Sequence, residues 1–155
     1  MSSPRNEQKH WIIRVQDGVN FRNSKYPFWG VKSCHKTRVN KFKTGDIIWF
    51  LTSKPYGGKF IGMSEYTCYY DRADEPLIPV HTYSNKDQCW TGEGLWSIQM
   101  HYKNLYIITE RENIKGVIQC AGSILEYDTF KDKGLPDLYN HYNMFKKYAE
   151  PKYTC

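Results

Sequence analysis

Between Tyr26 and Phe50 the chain reads YPFWGVKSCHKTRVNKFKTGDIIWF, and this stretch carries two kinds of residue able to hold a ligand. The first is a basic stripe. Lys32, Lys36, Arg38, Lys41 and Lys43, with His35 and Ser33 among them, are uninterrupted by any acid. Such a stripe neutralises phosphates and releases their counterions, although a solvated helix face that balances acids elsewhere has the same composition. The second is aromatic. The ring faces of Phe28 and Trp29 can stack on a base for about 1 to 3 kcal/mol, or plug a core, where tryptophan is mostly found.

Other chemistries find little support in the residue pattern. His35, His81, His101 and His141 have no metal-ligand spacing, and none is given a catalytic role. The five cysteines, Cys34, Cys68, Cys89, Cys120 and Cys155, are scattered without a Cys-x-x-Cys pair and read as reduced thiols. There is no glycine-rich phosphate loop, no His-x-x-x-His pair and no Cys-His nucleophile arrangement. No metal and no cofactor are expected. Asp46 reads as the shaper of its turn, and Asp71 either caps a loop or reads an amino group.

The elements that must position these residues sit in a chain of 155 residues with 40% hydrophobic and 16% aromatic content, enough for one core and one domain. Lys and Arg number 22 against 16 acids, giving a net charge of +6 that favours polyanionic partners. No apolar run approaches the ~20 residues of a membrane helix, and MSSPRNEQKH lacks the apolar segment of a secretory signal. The expectation is a soluble intracellular protein, cytoplasmic or nuclear, with a flexible stretch over 1–9 and a single domain over 10–155.

HWIIRVQ from His10 reads as the first strand, ending at the Asp17-Gly18 turn. Ser33 is placed to cap a short helix over Cys34 to Phe42, closed by Thr44-Gly45-Asp46. DIIWFLTS is nearly all apolar, the signature of a strand buried on both faces, in which Trp49 and Phe50 point to opposite sides and Trp49 is structural. Gly57-Gly58 then turns the chain into KFIGMSEYTCYYD as an antiparallel partner. Residues 72 to 94, with Pro76, Pro79, Gly92 and Gly94, form a long excursion of the kind that is often functional. LWSIQMHY, NLYIITE and GVIQCAGSILEY supply further strands, and Trp96 reads as core. Leu138, Tyr142, Phe145 and Ala149 recur at helical spacing after Pro136-Asp137 and pack across the sheet. Strands dominate, so the fold class is α+β: a mixed β-barrel of about five to seven strands with flanking helices.

Four blocks in this order carry a resemblance. WGVKS from Trp29, KTGDIIWFLTS from Lys43, IGMSEYTCYYD from Ile61 and LWSIQM from Leu95 resemble the EVE domain, a PUA-like family related to the YTH and ASCH domains. Leu51 stands where the family usually has Tyr, and Tyr70 where it has Pro. The resemblance implies a small PUA-like barrel with an aromatic pocket for a flipped, modified base in DNA or RNA. Carried over, the pocket comprises Phe28, Trp29, Gly30 and Val31, then Phe50, Leu51, Thr52 and Ser53 as its floor. Tyr69, Tyr70 and Asp71 form the rim and Trp90 a lid. The backbone of the nucleic acid would follow Lys32, Ser33, His35, Lys36, Arg38, Lys41 and Lys43.

The related ASCH group implies an alternative, a small amidohydrolase acting on modified cytidine through Lys36, Thr37 and Glu65. Lys36 would activate the Thr37 hydroxyl and Glu65 would shuttle a proton. Adjacent Lys and Thr on a helix point about 100° apart, which sets this behind the non-enzymatic reading. A protein-interaction module, with the aromatics forming a peptide groove, is a third possibility.

Overall fold

The computed structural model describes residues 7–74, 84–92, 94, 96–116 and 122–150. Its frame is one curled mixed sheet of six strands in the order β2-β5-β4-β3-β1-β6. These are β1 (His10–Arg14), β2 (Phe28–Val31), β3 (Ile47–Leu51), β4 (Phe60–Asp71), β5 (Ile98–Ile107) and β6 (Ile124–Glu126). β1 and β3 run parallel, with Trp11 opposite Ile48. The other pairings are antiparallel. A parallel pair needs a crossover. Here the crossover contains α1 (Val19–Asn23), β2, a single 3-10 turn at Ser33–His35 and α2 (Lys36–Val39).

Alternation explains why the central strands are apolar throughout. Trp11, Ile13, Ile48 and Phe50 enter one buried cluster, while Ile12, Ile47, Trp49 and Leu51 enter the other on the opposite face. Both faces are covered, so no polar face is needed. The second cluster is closed by α3 (Tyr127–Phe130) and α4 (Leu138–Phe145). Asp137 caps α4 by accepting from Asn140 N at 3.2 Å, and Phe145 stacks on Tyr106 at 4.5 Å between centroids. On this face Trp49 Nε1 donates to His10 Nδ1 at 2.9 Å. Burial, partly offset by Asp128 and Asp46, brings the His10 pKa down to about 4, so the ring accepts as a neutral imidazole.

Several expectations are revised. The helix foreseen over Cys34 to Phe42 is shorter: α2 ends at Val39, because Phe42 turns inward to stack on Trp11 at 4.2 Å. Lys32, not Ser33, occupies the position ahead of the 3-10 turn, and no side chain caps it. LWSIQMHY and NLYIITE merge into the single strand β5, since the left-handed Asn104 (φ 54°) lies within the strand and does not turn it back. Not all five cysteines are free thiols. Cys68 is in a disulfide whose partner lies outside the described residues, whereas Cys34 and Cys89 are free. At the N-terminus, Gln8 Nε2 donates to Gly45 O at 2.8 Å and Lys9 Nζ meets Glu126 at 3.0 Å, so these two residues of the stretch expected to fray are held. Much of the 72–94 excursion and the VIQCA part of the expected GVIQCAGSILEY strand lie outside the described residues. Among the described residues no helix is long and apolar enough to cross a membrane.

Candidate nucleic-acid interface

The sheet's two edge strands, β2 and β6, curl towards each other, and residues after β2 bridge the gap. Arg38 Nη1 donates to Ile124 O at 3.2 Å, linking α2 to β6. Lys36 Nζ lies 3.0 Å from Asp71 Oδ2, and Tyr69 Oη donates to Asn40 Oδ1 at 2.5 Å, tying the same segment to β4. Burial opposes ionisation of Asp71, but the Ser97 hydroxyl, the Ala73 N–H and Lys36 outweigh it and hold the carboxyl below the usual carboxylate range. Arg38 and Lys36 of the basic stripe thus hold the half-barrel closed.

A cleft of about 420 Å³ opens beside this closure. Trp29, Gly30 and Val31 line it from β2, Lys32 and His35 from the segment that follows, and Ser53 from the end of β3. Arg14 and Gly122–Ser123 line the side towards β6. Val15, Gln16, Asp17 and Asn20 form the part nearest α1, and Trp90 and Trp96 complete the lining. Three indoles therefore converge on one volume. Trp29 and Trp90 have centroids 5.1 Å apart and planes inclined at 59°, so the two rings touch at a tilt, and Trp90 is 8% exposed. Behind them Phe21 contacts Trp29 and Phe28 contacts Trp90 edge-on, at 6.5 and 5.4 Å.

Gly30 makes this convergence possible. A Cβ there would stand 2.4 Å from Trp96 Cβ and 3.1 Å from Trp90 Cζ3, so any side chain displaces the indoles. Charged side chains also line the cleft: Arg14, whose Nη1 donates to Gly122 O at 2.7 Å, Lys32, and Asp17, which accepts from Val19 N at 3.0 Å; His35 lies among them.

Of the residues singled out in the sequence, Trp29, Gly30, Val31, Ser53, Trp90, Lys32 and His35 share this cleft. Others lie elsewhere. Phe28 sits behind Trp90, and Phe50 and Leu51 are buried in opposite clusters. Thr52 Oγ1 accepts from Lys59 N at 2.8 Å in the β3–β4 connection. Tyr69 and Asp71 face the α2 segment, and Tyr70 meets His101 edge-on at 5.3 Å. Ser33, Lys41 and Lys43 are exposed outside the cleft lining. The three residues of the amidohydrolase alternative are not brought together: Lys36 pairs with Asp71, Thr37 is exposed, and Glu65 pairs with Lys103 at 3.5 Å and with Asn104. Trp96, read as core from the sequence, is a half-buried wall. Arg14, Asp17 and Asn20 were not singled out for the cleft. Only the Asp17-Gly18 turn signal marked their neighbourhood.

No family model matches the chain, and no curated protein matches it. Among solved structures it is similar to the YTH domain of Zygosaccharomyces rouxii MRB1 in complex with N6-methyladenosine RNA. The identity is 10%, the coverage 97% of this chain and 94% of that one, and the TM-score 0.47. It is also similar to the Pho92 YTH domain in complex with m6A, at 12% identity, 98% and 94% coverage and a TM-score of 0.42. At that identity the likeness supplies no residue-level correspondence.

Proposed function

We propose that the protein is a nucleic-acid-binding module that stacks one extruded, modified base of a single strand in the cleft lined by Trp29, Trp90 and Trp96. The observation that carries this is the convergence of three indoles around Gly30 on one cleft that Arg14 and Lys32 also line. Its volume falls within the roughly 300 to 1,000 Å³ of small-molecule sites. Indole faces stack on any base, and an added methyl group gains about 0.8 kcal/mol when such faces take it out of water. Arg14 and Lys32 supply the charge that flanking phosphates require, and Asp17 an acceptor for an amino group. The same arrangement supports a binding role ahead of catalysis, because the lining presents stacking faces and no nucleophile paired with a base.

The test is a titration of RNA and DNA nonamers carrying a central adenine, N6-methyladenine, cytosine or 5-methylcytosine, on wild type and Trp29→Ala, each with a thermal melt. The wild type is expected to prefer one modified base over its plain counterpart, and Trp29→Ala to lose that preference with its melting temperature nearly kept. Unchanged preference with a large drop in melting temperature would return Trp29 to the core and end the reading.

A further inference from the structure

We infer that Ser24, which does not line the cleft, is a positioning residue for it, acting through Trp90. The inference rests on the base-binding reading above. Ser24 lies just past the end of α1 and is half-buried. Its hydroxyl donates to Asn20 O at 2.8 Å and accepts from Trp90 Nε1 at 2.7 Å. A hydroxyl has one proton and an indole nitrogen can only donate. With the Ser24 proton committed to Asn20, its lone pairs are held towards the indole, and the direction of both bonds is fixed.

The backbone on either side of Trp90 is secured independently. Before it, Gln88 is fully buried. Its amide donates to Tyr26 O at 2.9 Å and Phe28 O at 3.1 Å and accepts from Tyr26 N at 2.5 Å. After it, Asn20 accepts from Thr91 N at 3.0 Å and donates to Thr91 O at 3.3 Å. These clamps hold the chain, the ring packs against Phe28 and Trp29, and the Ser24 bond is the polar restraint on its rotation. With that packing, the Ser24 bond fixes the rotation and so the 59° tilt of Trp90 against Trp29. A base reaching the cleft meets a Trp29–Trp90 pair already oriented, so the ordering cost of that part of the lining has been met before binding.

The experiment uses the full chain labelled with 5-fluorotryptophan, the Trp90 fluorine resonance being assigned from Trp90→Phe, and the nonamer panel described above as probes. Ser24→Ala is expected to shift or broaden the Trp90 resonance and weaken the preferred probe roughly five- to tenfold, the loss that one hydrogen bond to a buried donor sets. Ser24→Thr, which keeps the hydroxyl, is expected to restore both. Should Ser24→Ala lower the folded fraction, Ser24→Cys replaces it, since a thiol is a poor acceptor of similar size. A Trp90 resonance unchanged in Ser24→Ala overturns the inference whatever the affinity does, as does a loss that Ser24→Thr fails to rescue. A wild type that binds no probe removes the base-binding reading instead, while the fluorine resonance still decides whether Ser24 sets the ring.

Discussion

Trp49 and Trp29 lie on different strands of the same curled sheet and meet opposite fates. Trp49 is fully buried, its Nε1 satisfied by a neutral His10 and its ring contacting Phe60 and Phe145 edge-on or tilted. Trp29 is half-buried on an edge strand, with Phe21 behind it and the cleft in front. The difference comes from what covers each face. Around Trp49, α4 closes the sheet. Around Trp29 the two sheet edges approach without meeting, and the covering segment around Trp90 is held by side-chain amides and a hydroxyl together with the ring's contacts to Phe28 and Trp29. A large aromatic is a core plug where cover is complete and keeps a face towards open space where cover stops short.

The sharpest way to break this contrast is to truncate both rings. Trp49→Ala removes a fully enclosed side chain and strands His10, so it is expected to cost about 3 to 5 kcal/mol in urea unfolding. Trp29→Ala, open on one side, is expected to cost less than half as much. Equal losses at the two sites would mean that the cleft is an extension of the core.

Composition alone could not separate these two residues. The apolar run at Ile47–Leu51 announced a strand covered on both faces, and the Gly57-Gly58 pair announced its hairpin, because both signals are local. The parallel pairing of β1 with β3 and the placing of β6 beside β1 join segments far apart in the chain, and nothing local encodes them. Those pairings bring Arg14 and Ser123 to the cleft, which is why neither stood out in the sequence. Trp96 was assigned to the core as the opening residue of a strand. The strand begins at Ile98, so strand alternation does not govern Trp96, and it is free to lie over Gly30. Lys36 and Arg38 carried the composition of a phosphate-binding stripe, yet one is paired with Asp71 and the other with a β6 carbonyl.

The covered face can be probed a second way, through protons. His10 is held neutral by burial with a pKa of about 4, against 6.5 in an unfolded chain. Between those values the unfolded chain binds the extra proton and the folded one does not, so stability rises with pH across this window. The contribution is complete above about pH 6.5 and is lost as pH falls towards 4, a difference of roughly 3 kcal/mol. Urea unfolding at pH 7 and pH 4.5 reads it, and His10→Asn, which retains an acceptor for Trp49 but cannot titrate, separates it from the carboxylates. Wild type and His10→Asn losing stability in parallel over this range would assign the acid sensitivity to other groups.

The smallest expected effect concerns charge and separates the cleft from the rest of the basic segment. Lys32 lines the cleft, whereas Lys41 is exposed outside its lining, although the sequence places both in one stripe. If phosphates flanking a bound base lie along the cleft, removing the partner of one phosphate lowers the slope of log affinity against log salt by about 0.7 for a single strand. Lys32→Glu is therefore expected to flatten the slope by about that amount and to weaken all sequences alike, with base preference kept because the indoles are untouched. Lys41→Glu should alter affinity only through screened, longer-range attraction, which fades beyond a Debye length of about 8 Å at physiological salt. The measurement is a salt titration of the preferred nonamer with the three proteins side by side. A slope reduced equally by both substitutions would spread the phosphate path over the whole stripe, and one reduced by Lys41→Glu alone would move it away from the cleft, leaving the tryptophans without a strand to read.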